Sequence, residues 1–244
     1  MRRSTVALAV VALAACATVE KGERAAANVL ISPSDEIAMG KQFKEEMGKE
    51  LKLHKDPKVQ DYVQDIGNKM AKRVKSPVPL HFHVIDDDKT VNAFAIPGGD
   101  IYVFTGLLKL ADDDSEVACF LGHEISHVTQ RPLAQKVVEQ VGLQTALDIA
   151  VGKNSGAVKQ IVAGLAANGA MLKFSRDDER DADEHGLPLC NAAGYDPNGF
   201  VRMFKKIKAL GSSPEILAML QDHPLPQERI QTAQAKIGSM KNKG

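Results

Sequence analysis

The 244 residues are enough for one sizeable domain, and 44% hydrophobic with 25% charged residues is an ordinary globular balance. Lysine plus arginine equals aspartate plus glutamate at 31 each, which removes the electrostatic case for a nucleic-acid partner. With no tryptophan and only 5% aromatics, a stacking platform for bases or sugars is also excluded, and the core falls to Leu, Val, Ile, Ala and Met.

The first residues, "MRRSTVALAVVALAAC", run from two arginines through an apolar stretch to small residues before Cys16. That order is a secretory signal, too short for a membrane span of about 20 apolar residues. Leu13, Ala14, Ala15 and Cys16 resemble a bacterial lipobox. We therefore read residues 1–15 as a lipoprotein signal peptide, Cys16 as the lipid-bearing residue and 16–33 as a tether, with a single domain over 34–244. Ala17 after the cysteine points to outer-membrane sorting. The expected location is periplasmic, lipid-anchored to the outer membrane through Cys16.

Two helices open the domain. One is capped by Ser34, with Ile37, Met39, Phe43, Met47 and Leu51 at near-helical spacing; the other is capped by Asp56, with Pro57 at its first position and a stripe of Val59, Tyr62, Val63, Ile66 and Met70. "LHFHVIDD" and "VNAFAIPGGDIYVFTG" then alternate with period two, and "PGGD" reads as a hairpin turn. His81 and His83 share a strand face, read as polar surface rather than a second metal site. "DDDSEVACFLGHEISHVTQ" returns to helix behind acids that suit a helix start. Residues 131–172 read as two apolar helices and a turn. "SRDDERDADEHGLP" reads as a charged helix ending near Gly186 and Pro188, and helices broken at "DHPLPQER" follow.

The chemistry lies in "HEISH". His123 and His127 are four apart, so both project from one helical face and can bind one metal ion, while Glu124 can take a proton from its water. A third ligand must come from elsewhere. The metzincin pattern would need a glycine and a histidine where Gln130 and Leu133 stand. Glu179 and Asp183 instead lie four apart on one face of the later charged helix, with Glu179 as third ligand and Asp183 as hydrogen-bond acceptor for a ligating imidazole. Glu184 and His185 are rivals on other faces. With the two helices level at His123 and Glu179, Cys119 stands about 6 Å from that level and Cys190 about 16 Å, which makes both free, buried thiols.

"HEISHVTQ", "ERDAD", "VNAFAIPGGDIYVFTGLL" and "HPLPQERI", in one chain, resemble the HtpX-like and CAAX-prenyl-protease-like zinc metallopeptidase family, most closely its soluble periplasmic lipoprotein branch. The resemblance covers about residues 35 to 240. It implies an α+β, mainly helical gluzincin fold with a small antiparallel sheet beside the active-site helix. It also implies one Zn2+ per chain on His123, His127 and Glu179, with Glu124 as general base and Asp183 behind the ligands. His223 is expected beside the metal, as oxyanion donor or as a plug, with Arg229 steadying its loop or the bound peptide. Residues 91–96 are expected to hold an extended peptide by strand addition. The implied function is hydrolysis of misfolded or unassembled envelope proteins, and the rival is a chaperone-like assembly lipoprotein with a latent or structural zinc site.

Overall fold

The computed structural model describes residues 31–48, 51–132, 134–136, 138, 173–211, 213–224 and 227–241. The signal peptide, Cys16, the tether through residue 30 and nearly all of 131–172 lie outside the described residues. Helix α1 spans Pro33–Met47 and α2 spans Pro57–Ala71. Asp56 caps α2 with Pro57 behind it, as expected. The cap of α1 is Ser32, not Ser34. Ser32 accepts from the Asp35 amide while Asp35 returns a bond to the Ser32 amide, a reciprocal box that leaves Pro33 at the first helical position, where its missing N–H costs nothing. Ser34 bonds the Ser32 hydroxyl instead. Tyr62 departs from the α2 stripe, being exposed with its hydroxyl on Asp114.

Strands β1 (His81–Ile85), β2 (Ala93–Ala95) and β3 (Asp100–Phe104) form one sheet in the order β1-β3-β2. The β2–β3 hairpin is antiparallel, but β1 runs parallel to β3, so the sheet is mixed rather than wholly antiparallel. Alternation marks strands; it does not say that β3 inserts between the other two. Gly98 and Gly99, at φ 85° and 95°, turn the hairpin in the left-handed region, and a Cβ on Gly40 of α1 would lie 2.1 Å from the Pro97 carbonyl oxygen. Helix α1 therefore sits directly on the hairpin tip. The β2 edge packs along α4 (Asp114–Gln130), which follows the short α3 (Thr105–Leu110).

Helix α5 (Arg176–Ala192) makes the main helix contact with α4, and α6 (Asn198–Ala209) packs beside α4. The 3-10 turn η1 (Pro214–Ile216), α7 (Leu217–Asp222) and α8 (Gln227–Lys241) complete the described chain. Helix α5 does not end near Gly186 and Pro188 but continues to Ala192. Buried Leu187, Leu189 and Cys190 hold its last turns, and the carbonyl that Pro188 leaves without a donor belongs to exposed Glu184. At the start of α4, the wholly buried Glu116 accepts from Arg202 at 3.1 Å and Lys206 at 2.7 Å, which fixes α6 to that end.

The helices α4 and α5 meet at Gly122 and Gly186. A Cβ on Gly186 would be 2.9 Å from the Gly122 carbonyl and from the His123 amide nitrogen. This overturns the expectation for the cysteines: Cys119 and Cys190 form a disulfide, with Cα atoms 5.1 Å apart. The level of crossing is the glycine pair, not His123 and Glu179. From there Cys119 is three residues back and Cys190 four residues on, about 4.5 and 6 Å in the same direction along an antiparallel pair.

Candidate metal centre

On α4, His123 and His127 turn inward from one face, and both are buried. Glu179 comes from the first turns of α5, started by Ser175 in a capping box with Asp178. Among the described residues, His123, His127, Glu179 and His223 form the one group of side chains whose ligand atoms could hold a metal ion, all within 4.8 Å of one another. His123 Nε2 lies 3.1 Å from His127 Nε2 and 3.5 Å from Glu179 Oε2, and His127 Nε2 lies 3.2 Å from Glu179 Oε1. Tetrahedral ligands with bonds of about 2.1 Å stand about 3.4 Å apart, so this donor set and its spacing fit zinc.

His123, His127 and Glu179 are each held from behind. Asp183 Oδ1 takes His123 Nδ1 at 3.0 Å, which leaves Nε2 facing the site. Phe174 stacks on His127 at 3.6 Å between centroids, with planes 11° apart. Arg229 donates from Nε and Nη2 to Asp183 at 2.7 Å each, and its Nη1 reaches Glu179 and the Pro224 carbonyl, the latter at 3.0 Å. Thus Arg229 does steady the loop, but its main hold is on the two acids. Glu184 and His185 are exposed: Glu184 pairs with Lys236 and His185 bonds the Asp181 carbonyl. His83 bonds Asp100 at 2.7 Å and stacks on Tyr102, away from any such group.

The electrostatics divide the residues by task. Burial lowers the His127 imidazole to about 3, which keeps it neutral and able to ligate. His123 is equally buried, yet the charges of Glu179 and Asp183 prevail and raise it to about 9. Burial works against Glu179 too, but the surrounding histidines hold its carboxyl well below the usual range. Glu124 is raised, by burial first, against the pull of His223 and His123. Among the described residues both of its oxygens are buried without a hydrogen-bond partner, as is Nε2 of His223, 3.7 Å from Glu124 Oε1. A buried carboxylate without a donor is costly and calls for a reason.

His223 enters from the end of α7. Its Nδ1 lies 2.9 Å from Glu179 Oε1 and 3.4 Å from His123 Nε2. Sequence reading missed Phe174, which stands just before the charged helix without any spacing to mark it; only its being one of 8 phenylalanines in an aromatic-poor chain singles it out.

Residues 57–237 match the model of peptidase family M48. The beta-barrel assembly-enhancing protease of Yersinia pestis is 30% identical over 229 residues, covering 88% of this chain and 46% of that protein. The mitochondrial metalloendopeptidase OMA1 of Schizosaccharomyces pombe is 32% identical over 158 residues, 64% of this chain and 46% of that protein. Metalloprotease YcaL of Escherichia coli is 29% identical over 187 residues, covering 72% and 71%. The chain thus spans less than half the length of the first two. The buried ligand group, the acid beside it and a family match running through both helices that build the site lead to one assignment: this chain belongs to peptidase family M48.

Proposed function

We propose that this protein is a zinc-dependent endopeptidase of the bacterial envelope, held in a latent state by His223. His123, His127 and Glu179 would hold the zinc, which when bound would supply Lewis-acid polarisation of a carbonyl and a lowered pKa for water. Glu124 takes the proton and passes it to the leaving amine; its raised pKa brings it nearer the working pH of a general acid–base. Asp183 and Arg229 keep His123 aimed. The substrate lies extended along β2, the sheet edge beside α4. The observation that carries the reading is Glu124, whose two buried oxygens have no hydrogen-bond partner among the described residues, next to a three-ligand set.

His223 favours latency over a role as oxyanion donor, because its ring stands among the ligand atoms themselves. Four protein ligands would close the site, as in structural zinc centres, and this supports the chaperone-like alternative. A purely structural centre has no use for Glu124, however. Substrates are taken to be misfolded or unassembled envelope proteins, which the name of the Yersinia pestis relative supports. The signal and lipobox support a periplasmic protein anchored to the outer membrane through Cys16. No described helix is long and apolar enough to cross a membrane. The test is zinc content together with cleavage of an unfolded outer-membrane protein by wild type and Glu124→Gln. Equal cleavage by the two removes Glu124 from the mechanism.

A further inference from the structure

A short element between the sheet and the metal centre has both ends fastened to the start of β2. At its beginning, the Glu215 carbonyl in η1 accepts from the Val91 amide at 2.8 Å. At its end, Asp222 Oδ2 accepts from Asn92 Nδ2 at 3.1 Å. The Asn92 side chain is itself fixed by the strand, since its Oδ1 accepts from the Ala93 amide at 2.9 Å. Its backbone carbonyl accepts from Phe104 of β3 at 3.1 Å. Both Asn92 and Asp222 are buried.

Asp222 has two further connections. Its carbonyl accepts from the Phe174 amide at 3.0 Å, and Phe174 is the ring stacked on His127. The residue after it is His223, whose amide continues the helix onto the Met219 carbonyl at 2.7 Å. One buried acid therefore joins the edge strand, the aromatic behind a ligand and the loop histidine. Helix α7 has six residues and no side-chain cap, too little to fix the place of His223 by itself.

We propose that Asp222, gripped by Asn92, is a positioning residue that seats His223 among the metal ligands and ties that seat to the strand edge on which a peptide would lie. The inference rests on the metallopeptidase reading above. Losing this buried hydrogen bond leaves the Asn92 amide without its acceptor and shifts the seated-to-open ratio by roughly tenfold. Because seated His223 and substrate compete for one position, the open fraction sets the apparent affinity. Releasing His223 therefore lowers KM by about tenfold and leaves kcat unchanged, whereas damage to the site would lower kcat.

The decisive measurement is the visible spectrum of the full-length protein loaded with cobalt(II), beside KM and kcat on an unfolded polypeptide. Asp222→Ala is expected to keep one cobalt and to shift the spectrum as His223→Ala does, with the fall in KM. Asn92→Leu removes the donor and does the same. The exchange Asn92→Asp with Asp222→Asn restores donor and acceptor, so it returns the wild-type spectrum and KM; it also guards against a poorly folded alanine variant. A wild type that binds cobalt and cleaves peptide, beside an Asp222→Ala protein with unchanged spectrum and KM, overturns this inference alone. So does an exchange variant that folds and binds cobalt but stays shifted. A wild type that takes up no cobalt overturns the metallopeptidase reading and this inference with it.

Discussion

Arg229 grips Asp183 with two donors, Nε and Nη2, each 2.7 Å from a different carboxylate oxygen, and both side chains are buried. The last helix thereby holds the acid that orients His123. Removing the cation leaves Asp183 and Glu179 as buried charges short of a partner, which typically costs about 3–5 kcal/mol. Arg229→Met is expected to lose stability of that order in urea unfolding of the metal-free protein. A loss under about 1 kcal/mol would show that the histidines alone suffice for the acids.

Three substitutions separate the tasks at the centre. Glu124→Gln retains zinc and loses about 10²- to 10⁴-fold in turnover, the range of a missing general base. Glu179→Ala lowers metal occupancy by deleting a ligand atom. Asp183→Asn weakens affinity or activity by about 10- to 100-fold, as expected of a group acting through His123. Metal analysis and turnover on the same preparations check all three; undiminished zinc in Glu179→Ala would point to another acid.

Much of this centre was legible in the sequence because helical spacing is a strict rule. His123 with His127, and Glu179 with Asp183, each lie four apart, and four residues define a face. What spacing cannot supply is the level at which two helices cross. Setting it at His123 and Glu179 separated Cys119 from Cys190, whereas Gly122 and Gly186 let the backbones touch and bring the cysteines together. The same limit hid Phe174 and the grip of Arg229, both of which depend on tertiary placement. The parallel pairing of β1 with β3 escaped because strand order leaves no mark on alternation.

The disulfide ties the helix bearing HEISH to the helix bearing Glu179 across a sequence separation of 71 residues. On the chain-entropy account, closing a loop of that length stabilises the fold by about 4 kcal/mol. The double variant Cys119→Ala with Cys190→Ala is expected to melt well below wild type, and a reductant should lower the wild-type melting temperature towards it. Peptide mapping without reduction checks the bond directly. Recovery of both cysteines as free thiols from an oxidising compartment would contradict it.

Metal uptake should release protons, and the amount follows from the two histidines of α4. Without metal, His127 is already neutral at pH 7, since burial lowers it to about 3. His123 is protonated there, because Glu179 and Asp183 outweigh its burial and raise it to about 9. Burial opposes the charge of His223 as well, but Glu179 and Glu124 prevail and raise it. Glu179 is ionised throughout and gives up nothing. A ligating nitrogen must shed its proton, so zinc displaces at least one near pH 7, from His123, and His223 adds to the release when it is seated. Affinity therefore climbs as pH rises through about 9 and levels off above it, where His123 is neutral beforehand. Calorimetric titration of the metal-free protein in buffers of different ionisation enthalpy measures the release. Zinc binding that is independent of buffer and pH between 6 and 8 would contradict the charge assigned to His123, whereas Asp183→Asn, by removing one of its two acids, should shrink the release at pH 8.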